Sequence, residues 1–391
     1  MTTQNQWKPA EIIVHQEVKN DPDTTYFLSQ CAEVPVTFVN SGKAKVVIQA
    51  SDVLRSATQG MLDKILAGKS VVFITPAGQA VDDFTIPDNR LICPHFKRLK
   101  LALNGCFYAC DWCYLKLTYR AQHPFITVRM QYDNIKRSLQ RVLAATQSPI
   151  FFNSGELADS LSMEHLTRAG QTFIPWFGQT QNRNGYLFML TKSDNVDAIL
   201  DLPHNGHTVI AWSMNNDMVS RKYEIGAPPF DRRLEAAWKV QQAGYHLRLR
   251  LDPIVPFEGW EKAYADTVQR IFKKVSPERI TLGTLRFEEG FYNMRGSIFT
   301  TGEDLPEMMT TMGPMFEPKM FKGKQRPKIG KYSFSEADRV KIFDFIIKEI
   351  RKYSNCHIAL CKESAEVWNQ LGLDLSKMRC VCQLNYADMT I

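Results

Sequence analysis

Between about residue 100 and residue 285, six short apolar runs alternate with amphipathic helical stretches. The runs are KLALN, PIFFNS, YLFMLT, TVIAWS, LRLRLDPIV and RITLGTL. Between them lie MQYDNIKRSLQRVLAAT, SMEHLTRAGQTFIPWF and PFDRRLEAAWKVQQAGY. Strands joined through helices pair in parallel, because a parallel connection needs a crossover that a tight turn cannot supply. Six such units are too few for a closed eight-stranded barrel. The expectation is therefore an α/β fold built on a partial (β/α)6 barrel, with a doubly wound sheet as the alternative. Either arrangement gathers ligands at the C-terminal ends of the strands.

The flanks read differently. Residues 1–98 form an N-terminal α/β segment with strand candidates VPVTFV, KVVIQA and KSVVFITP and a helical stretch, ASDVLRSATQGMLDKILAG. Residues 99–300 hold the barrel units, and 301–391 a C-terminal extension. In the PFDRRLEAAWKVQQAGY helix, Asp231 is the expected N-cap and Gly244 the stop. Ser335 caps a long helix whose buried stripe is Val340, Phe343, Ile346, Ile347, Ile350 and Tyr353. A strand, HIALC, a short helix and the tail MRCVCQLNY follow.

A hydrophobic content of 44% fits a globular chain with a sizeable core. No apolar run is long enough for a membrane span, and the first residues lack a secretory signal, so a cytoplasmic enzyme is expected. The net charge of +7 is modest for 391 residues, and its clustering carries more information than its sum. In EPKMFKGKQRPKIGKY, Lys319, Lys322, Lys324, Arg326, Lys328 and Lys331 follow one another with no acid between them. Interleaved Gly and Pro make this a loop or hairpin, a form suited to phosphate contact; a merely solvated loop is the other reading.

The nine cysteines are reduced thiols or metal ligands in such a compartment. Cys31 reads as a small buried hydrophobe, and Cys93 is unassigned. Cys106, Cys110 and Cys113 stand in LNGCFYACDWCYL, a C-x3-C-x2-C motif on the loop after the first strand. Three thiolates there can hold three irons of a [4Fe–4S] cube and leave the fourth iron open; a zinc site completed by a distant His is the alternative. Polar residues end the next strands: Ser154, Gly155 and Glu156, then Lys192, then Ser213 and Asn215. Each alone reads as an ordinary loop polar group; in register at successive strand ends they point to a bound small molecule.

The C-x3-C-x2-C spacing resembles that of the radical SAM superfamily. CDWCYLKLTYR, WSMNNDMVSRKYEIGAPPFDRRLEAAWKVQQAGY, PIVPFEGWEKAY and KIGKY narrow the resemblance, over about residues 100–335, to the spore photoproduct lyase family of DNA repair enzymes. The resemblance implies a partial TIM barrel of radical SAM type, a [4Fe–4S] cluster on the three cysteines, and S-adenosylmethionine cleaved to a 5′-deoxyadenosyl radical. It places Tyr114 beside the cluster, in a cofactor or catalytic role, and has Lys192, Ser213 and Asn215 hold the cofactor. The basic run becomes a hairpin pressed on DNA, and a flavodoxin- or ferredoxin-type protein the electron donor to a monomer. The implied reaction removes a hydrogen from C6 of an ultraviolet-induced thymine dimer, which then fragments. Two further classes are radical SAM modification of another nucleic acid or small substrate, and a nucleic-acid-binding module with a structural metal.

The chain departs from the family at two positions. Glu156 stands where the family's hydrogen-donor cysteine would, Trp112 stands where a tyrosine can support that donor, and no cysteine lies between Cys113 and Cys356. The C-terminal thiols have three readings: Cys356, Cys361, Cys380 and Cys382 as a second iron–sulfur or zinc site, Cys361, Cys380 and Cys382 as a relocated donor or redox group, or ordinary buried thiols.

Overall fold

A computed structural model describes all residues except 1–5, 58–59, 87, 122, 301–308, 317–319, 322–323, 326–330 and 385–391. Seven parallel strands lie side by side in chain order: Phe96–Leu99, Ile150–Asn153, Gly185–Thr191, Thr208–Met214, His246–Ile254, Arg279–Thr284 and His357–Leu360. Val81–Phe84 adds an antiparallel edge strand beside the first. The expected parallel α/β architecture is thus present, with two differences. HIALC, placed by sequence in the C-terminal extension, is the seventh strand of the main sheet, in register with Arg279–Leu282. KLALN is not the first strand. Phe96–Leu99 takes that place, and Ala102–Leu103 pairs instead with Ile126–Arg129.

That second strand pair belongs to a five-stranded N-terminal sheet, ordered Val36–Val39, Glu11–His15, Val71–Thr75, Ile126–Arg129 and Ala102–Leu103. VVIQA, read as strand from its β-branched residues, is the helix Ala44–Ala50, which packs Val47 into a small core with Ile13 and Phe73. The chain therefore crosses from one sheet to the other between Leu99 and Ala102, and the cysteine loop begins directly after the crossing.

A two-residue antiparallel ladder closes part of the mouth. Leu91–Ile92, just before the first strand, pairs with Glu363–Ser364, just after the seventh. Glu363 is buried and receives two hydrogen bonds from the buried Arg339, at 3.0 and 3.2 Å. Arg339 sits on the helix Glu336–Arg351, which Ser335 caps as expected. Its buried side is Ile342, Phe343, Ile346 and Ile350; Tyr353 is 43% exposed, outside the stripe. The helix Phe230–Gln242 starts two residues earlier than expected, with Pro229 as N-cap and Asp231 in its first turn.

Parallel strands covered by helices are usually apolar throughout. The fifth strand is not: Leu247, Leu249 and Leu251 alternate with Arg248, Arg250 and Asp252, all largely shielded from solvent. Strand alternation sends the leucines to one face and the three charges to the other. The inner face of this strand is therefore polar.

Candidate active site

A cavity of about 490 Å³ opens at the C-terminal ends of the strands. Cys106, Cys110, Cys113 and Tyr114 form one wall, Gly155, Glu156, Lys192 and Ser213 the next, and Arg250, Asp252, Arg286, Cys361, Cys380 and Cys382 the far side. Cys93 lines it as well. The cysteine loop is held from several directions. Gly105 N–H donates to Leu157 O at 3.1 Å, and Asp159 N–H to Gly105 O at 3.1 Å. A Cβ on Gly105 would lie 2.4 Å from Ala102 Cβ, so only glycine permits this approach. Lys69 donates to Cys106 O and Tyr108 O at 3.0 and 2.5 Å. The fully buried pair Lys116–Asp111, at 3.1 Å, fixes the loop's far end.

No group of three His, Cys, Asp or Glu side chains among the described residues converges on a single ion position. A cube does not need such convergence, since each thiolate binds its own iron at a separate corner. Three thiols sharing one cavity wall therefore suit a cluster better than a single zinc. Burial raises the Cys110 thiol to about 12, so a metal taken up there displaces a proton.

Lys192 ends the third strand. Its Nζ donates to Ser213 Oγ at 2.8 Å and lies 3.6 Å from buried Glu224, which also pairs with Arg233 at 2.5 Å. Burial opposes its charge, yet Glu224 outweighs this and lifts the Lys192 ammonium above its ordinary range. The result is a fixed cation facing the cysteine wall. Tyr114 is 46% exposed, and its hydroxyl donates to Glu156 O, joining the cysteine loop to the second strand's end.

Three expected contacts are placed otherwise. Ser154 bonds Ser160 and Phe188 O behind the wall. Asn215 donates to Pro253 O at 2.9 Å and accepts from Tyr264 at 2.7 Å, so its amide buttresses the wall and does not line it. Gly155 lines the cavity, but the space a Cβ would take is filled by Leu190, 2.7 Å away. Its bareness serves strand packing. Cys356 does not line the cavity, so the four C-terminal cysteines are not brought together there. Of the basic run, Lys319, Lys322, Arg326 and Lys328 lie outside the described residues. Lys324 falls in a short hairpin in which Met320–Phe321 pairs with Lys324–Gln325. Lys331 faces the cavity, ion-paired to Glu288.

On the far side, Arg250, Asp252 and Arg286 are what sequence reasoning missed; Cys361, Cys380 and Cys382 it had named. Arg250 and Arg286 reach Asp252 at 2.7 and 3.0 Å and Cys361 Sγ at 2.8 and 3.2 Å. Burial works to raise Asp252, but Arg286 and Arg250 together hold its carboxyl well below the usual carboxylate range. Cys380 accepts from the Cys382 side chain and backbone N–H and lies 3.6 Å from Thr281 Oγ1; these bonds outweigh burial and bring its thiol down to about 6, while Cys382 stays protonated. The available signal was LRLRLD itself, whose charges recur at every second residue of a strand.

The family model for spore photoproduct lyase matches residues 98–353. Spore photoproduct lyases of Geobacillus sp. and Bacillus subtilis are each 34% identical, over 47% and 43% of this chain and 53% and 48% of their own. The chain thus spans about half the length of these relatives in the matched part. The Clostridium acetobutylicum enzyme is 26% identical over 65% of this chain and 73% of its own. A solved spore photoproduct lyase complexed with dinucleoside spore photoproduct superposes with a TM-score of 0.73 at 23% identity, covering 90% of this chain and 98% of that one. With more than half of its length matched by the family model, this chain belongs to the spore photoproduct lyase family.

Proposed function

We propose that the chain is a radical SAM enzyme that reverses spore-type thymine dimers in DNA. The observation that carries this reading is the shared cavity: Cys106, Cys110 and Cys113 face Lys192 and Ser213 at the ends of parallel strands in a chain of this family. The three cysteines would hold the [4Fe–4S] cluster, and the Lys192 cation would meet the carboxylate of S-adenosylmethionine. Bound, the cluster and S-adenosylmethionine supply a 5′-deoxyadenosyl radical. The protein's part is to orient the cofactor against the cysteine wall and keep water and oxygen out.

DNA is the proposed partner, reached through the basic segment around the Met320–Gln325 hairpin. A damaged dimer stacks poorly and costs least to extrude into a cavity. The proposed organisation keeps the N-terminal segment, barrel and C-terminal extension as three parts, acting as a cytoplasmic monomer fed by a flavodoxin- or ferredoxin-type donor. Among the described residues, no helix is long and apolar enough to cross a membrane. Glu156 on the cavity wall supports a second reading, in which the same radical chemistry acts on another nucleic acid or a small substrate.

Anaerobic purification and reconstitution test the proposal. About four irons per chain, S-adenosylmethionine cleavage under dithionite, and loss of the dimer from an irradiated oligonucleotide by mass spectrometry are expected. Cofactor cleavage with the dimer left intact would favour the second reading. A colourless zinc protein would sink both.

A further inference from the structure

Fragmentation of a dimer by hydrogen abstraction leaves a carbon radical on the product, and that carbon must gain a hydrogen atom. A thiol can give one, because an S–H bond is weaker than the C–H bond formed. Glu156 cannot, since a carboxylic O–H bond is stronger. Cys93, Cys361, Cys380 and Cys382 also line the cavity. The last three come from beyond residue 353, where the family model ends.

Among these, Cys361 is the one that two arginines and a carboxylate hold in place. It follows the seventh strand directly, with its N–H bonded to Leu282 O at 2.7 Å. Arg250 and Arg286 each donate to its sulfur, and Asp252 accepts its hydrogen. The groups facing it are thus two guanidinium cations and one carboxylate, with Lys362 beside them. Burial pushes its thiol up, and Arg250 and Arg286 pull back only in part, so the hydrogen stays on sulfur at neutral pH. Cys382 already gives its hydrogen to a bond with Cys380, whose thiol that bond holds below its ordinary range. Its loop is held rigidly, since the buried Arg248 donates to Val381 O and Gln383 O at 2.9 and 2.7 Å, and Arg279 to Gln383 O at 3.0 Å.

We propose that Cys361 is the hydrogen-atom donor to the product radical in this chain. The proposal rests on the radical reading given above. The Cys361 S–H bond breaks homolytically, a C–H bond forms on the product, and a thiyl radical remains on Cys361; no proton or net electron moves. One electron from a flavodoxin- or ferredoxin-class donor and one proton then restore the thiol.

The test uses the full chain, reconstituted with cluster and S-adenosylmethionine, and a spore-type dithymine dinucleotide in D2O. Wild type should place one solvent-derived deuterium in the repaired product. C361S, which keeps the shape and hydrogen bonding, and C361A should each lower that label at least about ten-fold. Unchanged label in C361S would overturn the assignment. If wild type cleaves S-adenosylmethionine but not the dinucleotide, the substrate reading fails separately. The donor is then read without substrate, from deuterium entering 5′-deoxyadenosine: loss of that label in C361S upholds the assignment, and equal label rejects it. A cofactor-free measurement adds an independent arm. Iodoacetamide labelling of Cys361, followed by mass spectrometry, should accelerate about ten-fold per pH unit from pH 7 to 9. A flat rate would mean a thiolate, and the assignment would fall.

Discussion

At the scale of single residues, the candidate site separates groups that meet the cavity from groups that support those groups. Lys192 belongs to the first kind. Its neighbours Ser213 and Glu224 hold its ammonium in one place, so Lys192→Met removes a preorganised charge. A charge-assisted bond of about 2–3 kcal/mol predicts a Kd for S-adenosylmethionine raised about 30–150-fold, read by equilibrium dialysis on the reconstituted enzyme. Cys110→Ala should leave the chain folded and cost it the cluster, with iron per chain falling from about four toward zero. Asn215 shows why such roles are hard to assign beforehand. Its place at a strand end was legible, but its bonds go to Pro253 and Tyr264, thirty-eight and forty-nine residues away in the chain.

The element scale shows what local pattern can and cannot carry. Ser335 was readable as a cap because a hydroxyl before an acidic first turn satisfies free N–H groups wherever it occurs. KLALN was misread because its partner strand, Ile126–Arg129, lies in the other sheet, and pairing is not a local property. SMEHLTRAGQTFIPWF, read as one helix, is two: Glu164–Thr167 and Ala169–Phe177, broken at Arg168 with φ of 49°. At that break the buried Glu164 accepts from Gly170 N–H at 2.7 Å and Gln171 N–H at 2.9 Å. Burial raises its carboxyl from 4.5 to about 7 despite those bonds. The folded state therefore binds this proton more tightly than the unfolded chain, and stability is lost as pH rises through that window. Glu164→Gln should gain on wild type by about 1–3 kcal/mol between about pH 5 and pH 8 in urea denaturation. The basic hairpin has its own measurement. Neutralising Lys322, Lys324 and Arg326 together should lower the salt slope of DNA binding by about 2–3, and an unchanged slope would place the DNA elsewhere.

The molecule as a whole depends on its last forty residues more than the matched family region suggests. The seventh strand, the Glu363–Arg339 pair and the tail held by Arg248 and Arg279 all draw on chain beyond residue 353. Removing residues 354–391 would expose the edge of Arg279–Thr284 and take from Arg248 and Arg279 their carbonyl acceptors at Cys380, Val381 and Gln383, a cost of several kcal/mol. Such a chain should lose its cooperative thermal transition by circular dichroism. The alternating strands from residue 100 made the parallel architecture legible. The polar far wall was not, because Arg250, Asp252, Arg286 and Cys361 come from three strand ends that only the closed sheet brings together.

The ladder between Leu91–Ile92 and Glu363–Ser364 gives that wall an unusual freedom. Cys93 directly follows one side of the pairing, and Cys361 lies two residues before the other. Both thiols are positioned by backbone hydrogen bonds, which are indifferent to side-chain identity. The rim therefore works as a socket: reactive side chains can be exchanged there one residue at a time while the register that aims them stays put. A lineage could in this way move its working sulfur from one lip of the barrel to the other without rebuilding the fold.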